Sequence, residues 1–302
     1  MVNKLAPKVF PKHPARLAEC HPEARAGSVM SIASKNPVVI YSTTTVKQAC
    51  AVMVDSGIRR VPVVDAGTKK LVGILSARDM VDFFGGGEKY RIVKNEFRGN
   101  LFAAVNLPVS KIMNEDVVSV KESETVGKAA RAMLEKGVGG CPIVDGSGVV
   151  TAFVSERDFI KRLAHDGCGI KVGDIMSRDV ITVTPETSLA TAARIMISKG
   201  VRRLPVVEKD EVVGVLRTSG ILRFISASEF AKFGTTDSDE ILEREKVGDV
   251  LRGYFVAVKP ADDIGEVMEI ITARRLGGFV VEEDGKLVGI VTEHDIFRIM
   301  YS

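Results

Sequence analysis

At the end of three apolar stretches a hydroxyl residue is followed, three places on, by an aspartate: Ser76 and Asp79, Ser155 and Asp158, Thr292 and Asp295. Each pair closes an apolar stretch and opens a helical one, so the hydroxyl and the acid have the spacing of a helix capping box. The same turn offers other chemistry. A helix N-terminus presents unpaired N–H groups and a positive dipole end to an anion. A carboxylate there can accept hydrogen bonds from two neighbouring hydroxyls of a ribose. The adjoining apolar strands could enclose a flat base. Two arginine pairs, Arg59-Arg60 and Arg202-Arg203, stand at strand entrances where guanidinium groups suit phosphate oxygens. Arg78, Arg157 and His294, lying between hydroxyl and acid, are counted with the site. A fourth copy of the turn is altered: Arg217 replaces the hydroxyl and Gly220 the acid, so its ribose carboxylate is missing. That pocket is expected to be empty, or Arg217 lends its charge there to a phosphate held mainly by the last copy.

The elements that must position these residues recur with the turn. Residues 71–79, 150–158, 212–220 and 287–295 each read as a buried strand running into a helix. Upstream of each comes a short strand (38–40, 117–120, 180–183, 255–258), a polar cap and an amphipathic helix. The buried stripe of that helix is Val46, Ala49, Cys50 and Met53 in the first copy, and Val126, Ala129, Ala130 and Met133 in the second. Leu189, Ala192, Ala193 and Met196 form it in the third, and Ile264, Val267, Met268 and Ile271 in the fourth. Gly57, Gly137, Gly200 and Gly277 are expected to end the helices. A second strand and a tight turn then lead back to the signature strand. The unit is β-α-β-β-α, an α/β (α+β) arrangement that exposes a sheet face by itself and must pack on another copy.

Just before the second strand, copies one and three carry paired arginines, whereas copies two and four carry Gly139-Gly140 and Gly277-Gly278. This alternation implies a duplicated two-repeat module, hence two pseudo-twofold pairs, one with two and three with four. The glycines are expected to admit a base or to leave backbone N–H groups free. The expected division is an N-terminal arm at 1–27, a first module at 28–165 and a second at 166–302. Within the first lie repeats at 28–84 and 110–165, separated by a helical insertion at 85–109; within the second lie repeats at 171–226 and 247–302, joined by a connection at 227–246. In the insertion, Tyr90, Val93, Phe97 and Leu101 fall at helical spacing and predict one amphipathic helix. The preceding Gly85-Gly86-Gly87 lacks phosphate-loop spacing and reads as a flexible joint.

Composition narrows the function. With 302 residues, 45% of them hydrophobic, the chain can bury a large core, and a net charge of +3 over mixed signs gives no basic face for nucleic acid. No apolar run is long enough to span a membrane and no secretory leader is visible, so a cytoplasmic location is expected. The four cysteines lack Cys-x-x-Cys spacing, which argues against a disulfide framework; His13, Cys20 and His21 form an incomplete metal set. No nucleophile and base pair falls outside the repeats, so no enzyme and no catalytic cofactor are expected.

The Gly-apolar-apolar-Ser/Thr-x-x-Asp turn, the Val/Leu-Pro-Val-Val strand and the Ile-Met start resemble cystathionine-beta-synthase (CBS) domains, four of them, as two Bateman modules. The resemblance spans about nine tenths of the chain, and the layout is similar to that of the gamma subunit of AMP-activated protein kinase. It implies an adenosyl ligand, AMP, ADP or ATP, with S-adenosylmethionine a further candidate, between paired repeats. It implies that Asp79, Asp158 and Asp295 hold ribose and that Ser76, Ser155 and Thr292 lie near ribose and phosphate. Arg59, Arg60, Arg202 and Arg203 would reach phosphates, and Thr45 and Thr125 would border the pocket. At most three sites are then competent, with Ala152, in place of the signature glycine, weakening the second repeat. The expected role is a non-catalytic sensor read by an effector protein, and self-association fits the architecture. A DNA-associated regulator and a ligand-free dimerisation scaffold are the alternatives.

Overall fold

The computed structural model describes residues 26–163 and 169–301. The expectations for the N-terminal arm, for His13, Cys20 and His21, and for the boundary at 164–168 lie outside the described residues.

All four helical stripes are buried. The helix Val46–Asp55 starts at a capping box in which Thr45 accepts from Gln48 N–H and the Gln48 side chain accepts from Thr45 N–H; it buries Val46, Ala49, Cys50 and Met53. The helices Val126–Glu135, Leu189–Ser198 and Ile264–Arg274 repeat the pattern, capped by Thr125, Ser188 and Asp263. Gly57, Gly137 and Gly200 take the left-handed conformation that stops the first three. The fourth departs from expectation: Arg275 occupies the left-handed position at φ 54°, two residues ahead of Gly277.

In each repeat the second strand pairs antiparallel with the signature strand: Arg60–Val64 with Leu71–Ser76, Gly140–Val144 with Val150–Ser155, Arg203–Glu208 with Glu211–Arg217, and Gly278–Glu283 with Lys286–Thr292. The leading strand is shorter than its apolar run. It spans Ile40–Tyr41, Val120–Lys121 and Ala257–Val258, each parallel to the second strand, and in the third repeat it shrinks to a bridge between Val183 and Val206.

Sheets and helices join different repeats. Ser34–Lys35 leaves the first repeat and pairs with Phe153 and Ala152 of the second, and Ile74 bridges Asn114. In the same way Ser177 bridges Ile290, and Lys171 bridges Asp263, between the third and fourth. The apolar cores run the other way. The helix Thr218–Ser226 packs on Val46–Asp55, so one core unites the first and third repeats; the helices Glu156–Leu163 and Glu293–Tyr301 meet in a second core uniting the second and fourth. There Phe159 lies 5.0 Å from Phe297 and 5.1 Å from Tyr301, ring to ring.

The signature glycines make these crossings close. A Cβ on Gly73 would meet Met113 Sδ at 2.5 Å, and one on Gly289 would meet Met176 Sδ at 2.6 Å. At the equivalent register Ala152 faces a chain with Ala33 in place of the methionine, so the extra methyl has room and Ala152 leaves the second repeat intact. The triple glycine is not a flexible joint. It belongs to a π-type turn, Asp82–Gly86, whose Phe83 and Phe84 are buried, and a Cβ on Gly86 would lie 2.5 Å from Ile197. The insertion is likewise two helices, Tyr90–Glu96 and Leu101–Ala104, because Arg98 and Gly99 turn left-handed between them and Asn100 caps the second. It packs on the later connection, with Tyr90 donating to Asp239 at 2.5 Å and Lys94 at 2.6 Å from the same carboxylate.

Cys50 and Cys141 are free and fully buried, and burial pushes both thiols up, Cys141 to about 12. With the thiolate absent and the sulfur covered, both should resist an aromatic disulfide reagent in the native chain and react on unfolding, as read by site-resolved mass spectrometry. Rapid native modification of either would contradict the packing.

Candidate functional site

In each of the three complete turns the aspartate reaches back to the hydroxyl residue, and in the first Asp79 N–H also donates to Ser76 Oγ, which completes a capping box. Asp79 Oδ2 accepts from Ser76 N–H at 2.8 Å and from the Ser76 hydroxyl at 2.5 Å. Asp158 Oδ2 accepts from Ser155 N–H and hydroxyl at 2.8 and 2.6 Å, and Asp295 Oδ2 from Thr292 at 2.9 and 2.7 Å. One carboxylate oxygen therefore ties off the helix, and the turn does not use Oδ1. Capping and ligand holding are compatible on one aspartate.

The first turn is closed. Lys89, from the insertion, pairs with Asp79 Oδ1 and donates to Ile112 C=O at 2.6 Å, so an ammonium stands where the resemblance implied a sugar. Arg78 points elsewhere, donating to Ile197 C=O at 3.0 Å. Thr45 and Thr125 are helix caps and line neither of the clefts described next. Arg217 is held by Tyr254 C=O at 3.1 Å in a small hollow with Gly220 and Arg223, separate from the cleft of the last turn that it was expected to serve.

Among the described residues, Asp158 and Asp295 each line a cleft. The first lies between repeats one and two, with Val38, Ile58, Pro62 and Phe153 as apolar walls, Arg59 and Arg60 at its inner end and a volume of about 1420 Å³ with its mouth. The second lies between repeats three and four, with Ile181, Val201, Pro205 and Ile290 as walls, Arg202 and Arg203 at the inner end and about 730 Å³. Thus Ser155, Arg157 and Asp158 converge with Arg59 and Arg60, while Thr292, His294 and Asp295 converge with Arg202 and Arg203.

Between the clefts is a charged centre built around two residues that the sequence reading passed over. Glu156 and Glu293, each 1% exposed, follow the hydroxyl in the second and fourth turns. Glu293 pairs with Arg59 and accepts from Arg157 Nε at 2.7 Å; Glu156 accepts from His294 Nδ1 at 2.7 Å and has Arg202 at 3.9 Å. The two halves are related by a pseudo-twofold exchange of Arg59 for Arg202, Arg157 for His294 and Glu293 for Glu156. A signal was present in the sequence: glutamate occupies this position only in the glycine-pair repeats, and Ala77 and Thr218 occupy it in the arginine-pair repeats. The glycines explain the match. A Cβ on Gly139 would lie 2.9 Å from Arg60 Nη2 and from Glu156, and one on Gly277 would lie 2.5 Å from Arg203 Nη2 and 2.7 Å from Glu293. They make room for this cluster, in place of the expected base or free N–H groups.

Positive charge is in excess at the centre. Burial, reinforced by neighbouring guanidinium groups, lowers Arg60 to about 10 and Arg203 to about 9. Burial opposes ionisation of Glu156, yet His294, Arg202 and Arg60 outweigh it and hold the carboxyl at about 2; Arg59, Arg157 and Arg203 likewise lower Glu293. Half-buried cations in this number favour an anion. Among the described residues no cluster of His, Cys, Asp and Glu fits a metal ion, and no helix is long and apolar enough to cross a membrane.

The family model for the CBS domain matches residues 29–86, 109–165, 172–227 and 247–302. The protein MJ1225 of Methanocaldococcus jannaschii is 34% identical over 89% of this chain and 98% of its own. Its crystal structure, described as a candidate archaeal homologue of g-AMPK, superposes with a TM-score of 0.83 over 90% of this chain and 99% of that one. A 33.4 kDa protein of the Thermofilum pendens ribosomal RNA operon is 30% identical over 85% of this chain and 86% of its own. The homoserine O-acetyltransferase of Methanohalobium evestigatum is 34% identical over 39% of this chain but only 24% of the enzyme. The chain belongs to the CBS-domain family, with four such domains in one polypeptide.

Proposed function

We propose that the chain is a non-catalytic sensor that binds adenine nucleotide, AMP, ADP or ATP, in the clefts of Asp158 and Asp295 and passes occupancy to an effector protein. The observation that carries this reading is the joint geometry of each cleft: an aspartate Oδ1 left over once Oδ2 has tied off the turn, apolar walls, and a half-buried guanidinium pair at the inner end. Sugar, base and phosphate each meet a suitable partner. Two of the three aspartates serve, since Lys89 occupies the third. Transmission needs a differential effect of the ligand on two arrangements of the repeats. The centre supplies a basis for one, because phosphate at Arg59 or Arg202 competes with the glutamate that each guanidinium faces.

Calorimetry with adenosine, AMP, ADP, ATP and S-adenosylmethionine tests the reading. Two sites are expected in the native chain. Asp158→Asn or Asp295→Asn, which can still cap the turn, should each remove one of them, weakening it by about 100-fold through loss of charge-assisted hydrogen bonds to the diol. Circular dichroism should show both variants folded. Absence of binding by all five compounds would defeat the proposal.

A further inference from the structure

The two clefts are not equivalent in charge. The cleft of Asp158 is lined by six basic side chains, Lys35, Arg59, Arg60, Arg157, Lys161 and Arg275, against the single acid Asp158. The cleft of Asp295 is lined by Arg202, Arg203 and His294 against two acids, Asp179 and Asp295. Three exchanges across the pseudo-twofold produce the difference. Asn36 becomes Asp179, Arg157 becomes His294, and Arg275, which reaches the first cleft from the fourth repeat, corresponds to Gly137. Two other positions keep a cation but redirect or retain it. Arg178, the counterpart of Lys35, donates to Gly173 C=O at 3.2 Å, and Arg298, the counterpart of Lys161, remains near Asp295. Each cleft has one central glutamate at its inner end, so the glutamates do not alter the contrast.

Volume follows charge, the first cleft together with its open mouth being about 1420 Å³ and the second, mouth included, about 730 Å³. A triphosphate adds several charges beyond the ribose and needs both the space and the cations to receive them; Lys161 and Arg275 extend the basic lining beyond the inner arginine pair. In the second cleft each added phosphate meets Arg202 and Arg203 but also the field of Asp179, with no counterpart of Arg275.

We propose that the two clefts are specialised, the Asp158 cleft for adenosine di- and triphosphate and the Asp295 cleft for adenosine monophosphate or a phosphate-free adenosyl compound. This inference rests on the reading that both clefts bind adenosine ligands. One chain then holds a polyphosphate and a low-phosphate form side by side, with the arginine-glutamate centre between them, and compares the two.

Single-cleft variants test it. Asp295→Asn leaves the first cleft and Asp158→Asn the second; adenosine, AMP, ADP and ATP are titrated into each by calorimetry at low and at moderate salt. In the Asp295→Asn chain affinity should climb with each phosphate, ATP binding at least about 30-fold more tightly than AMP at low salt and less so as salt rises. In the Asp158→Asn chain the four compounds should agree within about threefold, or weaken with phosphate. Adding Asn36→Asp and Arg275→Gly to the Asp295→Asn chain should cut the preference for ATP over AMP to below about fivefold. Glycine suits the left-handed backbone at 275, so this variant should fold. The same phosphate ladder in both clefts would overturn the specialisation while sparing the adenosine reading; failure of adenosine and every nucleotide to bind would overturn both.

Discussion

Glu293→Ala should lower the free energy of unfolding by about 3–5 kcal/mol, the usual consequence of removing one partner of a buried ion pair. Glu293 is 1% exposed and receives both Arg59 and Arg157, with Arg203 alongside. Alanine would leave these guanidinium groups facing one another in a centre that already carries excess positive charge. Glu293→Gln keeps the volume and loses the charge, so its cost should lie between that of alanine and zero. Urea unfolding at neutral pH measures both. An anion that reaches the same guanidinium groups should recover part of the loss, because a ligand bound only by the folded chain adds stability as its concentration exceeds its Kd. Adding ATP should therefore stabilise Glu293→Ala by more than it stabilises the native chain. A loss under about 1 kcal/mol would mean that the centre is as well solvated as a surface pair.

The centre also marks the limit of what was legible in the residues. Helical stripes, signature strands and capping turns could be read because each follows from a local period or spacing, and the structure buries Val46, Ala49, Cys50, Met53 and their counterparts. Which repeat packs against which through its helices could not be read that way. The stripes of all four repeats are alike, so nothing local distinguishes a core shared by the first and third from any other choice. Lys89 closing the first turn depends on a two-helix insertion folding back, and its approach to Asp79 is absent from sequence spacing. Glu156 and Glu293 are a different case. Their alternation with Ala77 and Thr218 matches that of the glycine and arginine pairs, but the meaning appears only when Gly139 is seen clearing space for Arg60 and Gly277 for Arg203. Triple glycine misled for the same reason: a residue without a side chain permits either freedom or close approach, and Ile197 against Gly86 selects close approach.

Acid should act on the same centre. The Glu156 carboxyl is held at about 2 against an ordinary value of 4.5: burial works against its ionised form, but His294, Arg202 and Arg60 prevail. A carboxyl whose folded value lies below its unfolded one contributes stability that is fully present above the unfolded value and is lost as pH falls through the folded value. Glu156 alone thus accounts for roughly 3 kcal/mol at neutral pH, disappearing between about pH 5 and about pH 2. Glu293 is shifted in the same direction, so its contribution fades over the acid range as well. Protonation of Glu293 leaves Arg59 and Arg157 without their carboxylate and protonation of Glu156 does the same to Arg202, and the two losses reinforce each other because Arg59 and Arg202 lie in the field of both glutamates. Unfolding free energies measured by urea at pH 7, 5, 4 and 3 should fall steeply below pH 5 in the native chain. The double variant Glu156→Gln and Glu293→Gln should start lower and fall less. Parallel curves for the two proteins would place the acid-sensitive groups elsewhere and remove the centre from the account of stability.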